Sequence, residues 1–384
     1  MAGAVRLKGN VTAQLEIAWD GASYVDETAN LKRFAVTRGY SADQTSIDAG
    51  TCALTLKETI GRYNPANTGS AIYPYISYPL RPMRLRVTYA STTYYLFSGF
   101  TTRHESDPGR DSREARIDCV DAFVLLGGDG GNKPVIASSG TTTGAAIAAI
   151  LTAAGFGGTT DLDTGDTITF AADGTTDGLS LIGDLLETER GFFFMTASGV
   201  ATYFDRYWTN RSPYNASQGT IASTMRSITP AADLALVRNR ATVTATGGTA
   251  QTASNAASIA LFKTRDFDPI DSPYLASDAA ALSLASYLVT QAKDPLPPVR
   301  QIDIGQHDAA TFTQLLTREL GDQVTVSESI GGTSGAYHIR RIELEGDWSA
   351  GVLQGSWSLR QRTATGQPFI VGISSVGGPD LITY

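Results

Sequence analysis

The sequence predicts a mainly β protein with α+β insertions, in which two β-barrel or sandwich domains flank a small α+β domain. Short segments alternating apolar and polar residues with a period of 2 recur towards both ends of the 384-residue chain, and the stretch between them changes to helical spacing. The composition is 42% apolar and 18% charged, with 16 Tyr and 14 Phe. That charged share lies below the usual value of about a quarter. Gly, Ser and Thr take up the difference, and aromatic and Thr side chains suit a pleated, half-buried surface. At about 150 residues per domain, the length suggests two or three domains, each able to bury a core.

Residues 1–126 read as an all-β domain. Val11–Trp19 alternates imperfectly, whereas Cys52, Leu54 and Leu56 share one face of a cleanly alternating strand. Leu85 and Val87 oppose Arg84, Arg86 and Thr88. Ala115, Ile117 and Cys119 face in while Glu114, Arg116 and Asp118 face out. A slip of one residue would carry those charges into the core, so the register is well specified.

Gly61–Pro82 interrupts these strands. Pro65, Pro74, Pro79 and Pro82 remove ladder donors and fix φ, which excludes a central strand. A loop of more than about 15 residues is uncommon and tends to be functional. Tyr63, Tyr73, Tyr75 and Tyr78 are amphipathic anchors of the kind enriched at interfaces. They either pack the loop onto its own domain or anchor a partner. Arg81, Arg84 and Arg86 come onto one strand face, which is either solvated or suited to ion pairs with a neighbouring subunit's carboxylates.

Gly127–Asn132 is a flexible break. Residues 133–226 form the small α+β domain. Thr143–Ala154 is an Ala-rich helix stopped by Gly155, and Leu179–Arg190 a second helix followed by Gly191. Phe192–Met195 and Val200–Phe204 then make a hairpin. Residues 227–365 return to β patterning, in Val237–Val243, Ile302–Ile304, Val324–Val326, Tyr337–Leu344 and Val352–Leu359. A long helix over 277–293 interrupts them, with Ser277 as N-cap, Asp278 suited to the helix start, and Pro295, Pro297 and Pro298 ending it. Asp308 caps a shorter helix that ends before Gly321. Residues 366–384 are a Gly- and Ser-rich arm. Its apolar side chains, Phe369 and Ile370 among them, would be wasted in solvent, so the arm is expected to dock on a neighbour.

A net charge of −8 with no run of Lys or Arg argues against sequence-specific DNA binding, since an acidic surface repels phosphates. Cys52 and Cys119 occupy apolar positions of alternating strands and read as buried free thiols; a disulfide between them would need an oxidising compartment. No signal-peptide core and no run of about 18 apolar residues is present, which predicts synthesis in the cytoplasm and no membrane insertion.

Catalytic signatures are missing wherever spacing could reveal them, so no enzyme activity and no cofactor is expected. His104, His307 and His338 lie in separate segments without metal-site neighbourhoods and read as exposed or polar-face residues. No nucleophile elbow or phosphate-cradling loop occurs. Asp161–Asp166 superficially resembles a calcium loop, but position twelve is Ala172 where a bidentate Glu is needed. Glu187 and Glu189 sit on a helix whose other face is core, so solvated surface is the ordinary reading. Paired carboxylates for glycoside cleavage have a three-dimensional geometry that spacing does not report.

An ordered series of short pieces resembles the minor tail, or tail-hub, proteins of long-tailed bacteriophages. It begins with Trp19-Asp20, Arg38-Gly39 and Asp48-Ala-Gly50, and continues with Gly61-Arg-Tyr-Asn-Pro65-Ala-Asn67, Tyr73-Pro74 and Arg81-Pro-Met-Arg-Leu-Arg86. Leu96-Phe-Ser-Gly-Phe100, Asp121-Ala122 and Leu125-Leu126 follow. Ile147 to Gly155-Phe156, Gly191-Phe-Phe-Phe194, Phe204-Asp-Arg206 and Leu320-Gly-Asp322-Gln-Val324 complete it. Each piece is weak alone; their order over about residues 15–345 carries the likeness, and the C-terminal arm falls outside it.

The resemblance implies two tail-tube-like β-barrels per chain, and a homotrimer that presents six barrels below a six-fold tail tube. Such a baseplate hub would continue the tube at the tail tip of the virion, beneath the distal tail protein. It would hold the tape-measure protein inside and fibre or spike proteins below, and its lumen would pass DNA without specific binding during genome ejection. The net charge predicts an acidic lumen. The alternatives are a peripheral carbohydrate- or receptor-binding tail protein, served by the exposed tyrosines, and a cell-wall enzyme, for which about 20 residues after the last strand leave little room.

Overall fold

The alternation of the N-terminal third becomes seven strands in a computed structural model of the chain. The structure describes residues 11–361 except 42–46, 108–112, 128–131, 223–224, 231–233, 235–236, 273, 295–298, 305–308, 329–331, 333 and 349. The strands are β1 (Val11–Ile17), β2 (Val25–Asp26), β3 (Leu31–Tyr40), β4 (Ile47–Lys57), β5 (Pro82–Tyr89), β6 (Thr92–Asp107) and β7 (Glu114–Val120). The expected faces hold. Leu54, Leu56, Leu85, Val87, Ile117 and Cys119 are buried, and the arginines of β5 stand on the opposite face.

The middle of the chain builds β8 (Val135–Thr142), α1 (Thr143–Ala153), β9 (Thr160–Leu162), β10 (Thr167–Asp173), α2 (Gly178–Glu189), β11 (Phe192–Met195) and β12 (Ala201–Phe204). Thr142 and Asp177 cap the two helices, their side chains accepting from the backbone N–H of Ala145 and Ser180. The β11–β12 hairpin is buried on both faces. Phe192, Phe194 and Phe204 join the large core of the protein, while Phe193, Met195, Ala201 and Tyr203 join the core under α1 and α2.

The remaining elements are β13 (Thr220–Ile221), β14 (Met225–Pro230), β15 (Arg240–Ala245), β16 (Gln251–Ser254), α3 (Ala256–Phe262), β17 (Ile270–Ser272), α4 (Asp278–Ala292), β18 (Val299–Ile304), α5 (Ala309–Thr317), β19 (Gln323–Ser327), β20 (Ser334–Asp347) and β21 (Val352–Gln361). Ser277 caps α4 as expected, its hydroxyl 3.3 Å from the N–H of Ala280. This long helix does not lie within the C-terminal strands. It packs on a three-stranded sheet of order β16-β15-β17, over its own core of Val243, Leu284 and Leu288.

The two β regions were expected as separate barrels or sandwiches. They form instead one sheet of 13 strands whose main path runs β14-β18-β21-β20-β3-β4-β7-β6-β5-β1-β2. Among the described residues that path is open, and no barrel closes. The join is the antiparallel pairing of β3 with β20, in register from Arg33 with Asp347 to Gly39 with Arg341. Both strands are long and alternating, so each hydrogen-bonds along both edges, and residues from Leu15 to Leu359 share one core. Two glycines allow the seam. A Cβ at Gly39 (φ +102°) would lie 2.2 Å from the Arg340 carbonyl oxygen, and one at Gly346 would lie 2.2 Å from the Phe34 ring.

Candidate assembly surfaces

The loop between β4 and β5 divides into an anchored start and an exposed tip. Two buried glutamates hold the start. Glu27, 1% exposed, accepts from the indole Nε1 of Trp19 (2.9 Å), the Tyr63 hydroxyl (2.5 Å) and Arg62. Glu58 accepts from the backbone N–H groups of Arg62 (2.7 Å) and Tyr63 (2.8 Å). Tyr63 is therefore not an interface anchor. It is 1% exposed and ties the loop to its own sheet, and burial raises its phenol pKa. Ile72 and Ile76 are buried beside it, and His104 Nδ1 sits 2.6 Å from the Ile76 carbonyl oxygen.

Around the buried Ile76 the loop presents three tyrosines outward. Tyr73, Tyr75 and Tyr78 are 41%, 40% and 49% exposed. The Arg81 guanidinium lies 6.0 Å and 5.6 Å from the ring centroids of Tyr75 and Tyr78, in cation–π range. A Cβ at Gly21 would be 3.3 Å from Arg81 Nη1, so this tip adjoins the turn leading to Tyr24. Arg84 stacks over Tyr24 at 4.0 Å, and Arg86 over Tyr95 at 5.6 Å. The result is one surface of tyrosine rings interleaved with guanidinium groups.

The ion pairs expected between Arg84, Arg86 and a neighbouring subunit are made within the chain. Both arginines pair with Glu16 on the adjacent strand β1, and the Arg84 hydrogen bond holds the Glu16 carboxyl below its ordinary range. Register explains the pairing, because Glu16 lies directly opposite Arg84. Phe369 and Ile370, the remaining interface candidates, lie outside the described residues with the rest of 366–384.

Other polar residues also depart from the sequence reading. Glu189 is not solvated: it is 1% exposed and pairs with the fully buried Arg206 at 3.2 Å, while Glu187 stays at the surface. Arg206 also pairs with Asp166, and Arg211 pairs with Asp163, so arginines occupy two of the three carboxylates of the calcium-like run. His338 is 3% exposed against Trp208, and His104 is half-buried, with burial lowering its pKa; His307 lies outside the described residues. Cys52 and Cys119 face each other across β4 and β7 as free thiols, and burial raises the pKa of both. Among the described residues, no group of three or more His, Cys, Asp or Glu side chains is placed to hold a metal ion, and no helix is long and apolar enough to cross a membrane.

The sequence matches no known protein-family profile and no curated protein. The fold does have solved counterparts. A tail protein from Neisseria meningitidis superposes with a TM-score of 0.61 at 11% identity, over 92% of this chain and 97% of that one. The 43 kDa tail protein of prophage MuSo2 from Shewanella oneidensis gives 0.59 at 11% identity, over 91% and 98%. Prophage tail protein gp18 from Listeria monocytogenes gives 0.55 at 10% identity, over 92% and 95%. Across nearly its whole length, the chain has the fold of prophage tail proteins.

Proposed function

We propose that the chain is a non-enzymatic structural component of a bacteriophage tail tip: a hub protein that forms a homotrimeric ring continuing the tail tube, anchors fibre or spike proteins and lines the ejection channel. The observation that carries this reading is the likeness in fold, over 91–92% of the chain, to three proteins named as tail proteins. The architecture supports it. One sheet spans both β regions, so each chain offers a continuous run of paired strands, and the tyrosine–arginine surface near β2 supplies amphipathic anchors for a neighbour. The distal tail and tape-measure proteins are the expected neighbours, and DNA passes an acidic lumen without specific binding.

The test is a cryo-electron reconstruction of intact virion tails. Three copies ringing the axis below the six-fold tube are expected. Copies standing away from the axis would refute the hub reading and favour a peripheral carbohydrate- or receptor-binding role, which the exposed Tyr73, Tyr75 and Tyr78 would serve.

A further inference from the structure

Where α2, α4, the middle of β20 and the end of β21 converge, a cavity of about 540 Å³ is lined by Arg190, Arg340 and Arg360. The same three arginines wall a smaller recess of about 50 Å³ beside it. They reach it from different elements: Arg190 is the left-handed residue ending α2, Arg340 belongs to β20, and Arg360 to β21. Arg340 is 8% exposed, and its guanidinium packs over the rings of Tyr40 (4.2 Å) and Phe192 (4.5 Å). Among the described residues, neither Arg340 nor Arg360 has a carboxylate within ion-pairing distance. Arg190 has Glu187 at 3.9 Å, a side chain 67% exposed, and its buried Nε has no hydrogen-bond partner. Glu187 is the single carboxylate among the described lining residues.

Three like charges gathered in a partly dry cavity are unfavourable without a counter-charge. Burial first, and the neighbouring Arg360 charge in addition, push the guanidinium pKa values of Arg190 and Arg340 down. In a chain of net charge −8, three guanidinium groups facing a single exposed carboxylate are a local inversion of sign. Guanidinium groups recognise planar and tetrahedral oxyanions through paired, charge-assisted hydrogen bonds. The rest of the wall adds the Tyr287 and Gln291 side chains and apolar surface from Leu186 and Phe193, suited to the carbon frame that carries an acidic group.

We propose that this cavity is an oxyanion-binding site, which takes a carboxylate or phosphate group from either a free small anion or the acidic side chain of a neighbouring protein chain. The site stands on the cavity and does not depend on the tail-tip reading. Calorimetric titration of the full chain tests it, at fixed ionic strength, with sodium pyrophosphate and separately with the capped peptide acetyl-Leu-Glu-Leu-amide. At least one probe binds. Arg360→Gln, a change at an exposed strand position, weakens that binding about tenfold, as losing one charge-assisted contact requires. Glu187→Gln removes the competing carboxylate and tightens it. Tighter binding of pyrophosphate assigns the source to a free anion, and tighter binding of the peptide to an acidic chain segment. Failure of both probes to bind, or binding that both variants leave unchanged, overturns the proposal.

Discussion

Arg206 and Glu189 form a buried ion pair whose worth can be measured by a double-mutant cycle. Their side chains are 0% and 1% exposed, with Nε and Oε1 3.2 Å apart. Glu189 also accepts from the Thr143 hydroxyl at 3.1 Å and the Asp166 backbone N–H at 3.0 Å. Glu189→Ala therefore strands a buried guanidinium and two donors. Breaking one side of a buried pair costs about 3–5 kcal/mol. Asp166 remains as a partner and is 36% exposed, so the loss should fall near the lower end, about 3 kcal/mol. Replacing both partners, Glu189→Leu with Arg206→Met, should cost about 1–2 kcal/mol at most, because no buried charge is then left over. Burial raises the Glu189 pKa in spite of Arg206, which means that pairing does not fully offset its desolvation. Urea unfolding of the wild type, Glu189→Leu, Arg206→Met and the double variant gives the coupling energy, with Glu189→Ala measured beside them. A loss below about 1 kcal/mol in Glu189→Ala, or a double variant as unstable as the two single losses added together, would refute the reasoning.

Three further perturbations probe the rest of the fold. Asp121 is fully buried, accepting from the Gly50 N–H at 2.7 Å and the Phe123 N–H at 3.0 Å, and burial pushes its carboxyl up from 3.8 to about 7. The folded chain then holds a proton that the unfolded chain releases above its own pKa, so the site's contribution to stability is full below pH 3.8 and is lost as pH rises through about 7. Relative to Asp121→Asn, the wild type should lose about 2–3 kcal/mol between pH 5 and 7.5 in denaturant titrations, and a constant difference would contradict the shift. Gly39→Ala should cost at least about 2 kcal/mol, since its Cβ would lie 2.2 Å from the Arg340 carbonyl oxygen, and an unchanged melting temperature would show that the seam can relax. Tyr63→Phe should lose about 1 kcal/mol by removing one of the donors to the buried Glu27 and one acceptor of Asn30, while Tyr78→Ala should stay within about 0.5 kcal/mol in the isolated chain; equal effects in urea melts would mean the division of the loop is misread.

Local periodicity made much of this fold legible. The faces of β4, β5 and β7, the Ser277 cap and the hairpin at 192–204 follow from spacing that neighbours in sequence impose. Alternation says which face a strand buries but not which strand lies beside it, so the β3–β20 join and the open sheet were invisible. Helix α2 shows a subtler limit. Gly191 follows the helix as the sequence indicated, and a Cβ there would lie 2.5 Å from the Phe204 carbonyl oxygen. The glycine is needed for the close approach of β12, and the left-handed turn falls on Arg190 (φ 57°). Buried charges were missed because their partners are distant in the chain: Glu27 meets Arg62 and Tyr63 in a loop more than 30 residues on, and Glu189 meets Arg206 from beyond a hairpin. At the surface, Arg84 and Arg86 were legible as a pair on one face, but their partner Glu16 was not, because it lies 68 and 70 residues away.

The sheet's two ends bear on how copies of the chain could meet. An exposed edge strand invites strand addition unless it is short, irregular or proline-bearing. Here the path ends at β2, which has two residues, and at β14, which pairs with β18 through two register shifts and includes Pro230. Neither edge offers a regular ladder to a neighbour. Among the described residues, contact between copies at these two ends would then rest on side chains, not on the sheet continuing into the next. Tyr24, next to β2, and Tyr95, on β6, are 43% and 36% exposed and packed against Arg84 and Arg86, which Glu16 holds in turn. Arg84 and Arg86 share the one Glu16 carboxylate, so about one net positive charge remains beside the two rings, and the rings themselves give a neighbour rigid aromatic surface. Contact there should therefore rest mainly on the rings and weaken only modestly as salt rises, less than the ion-paired interface that the sequence alone suggested.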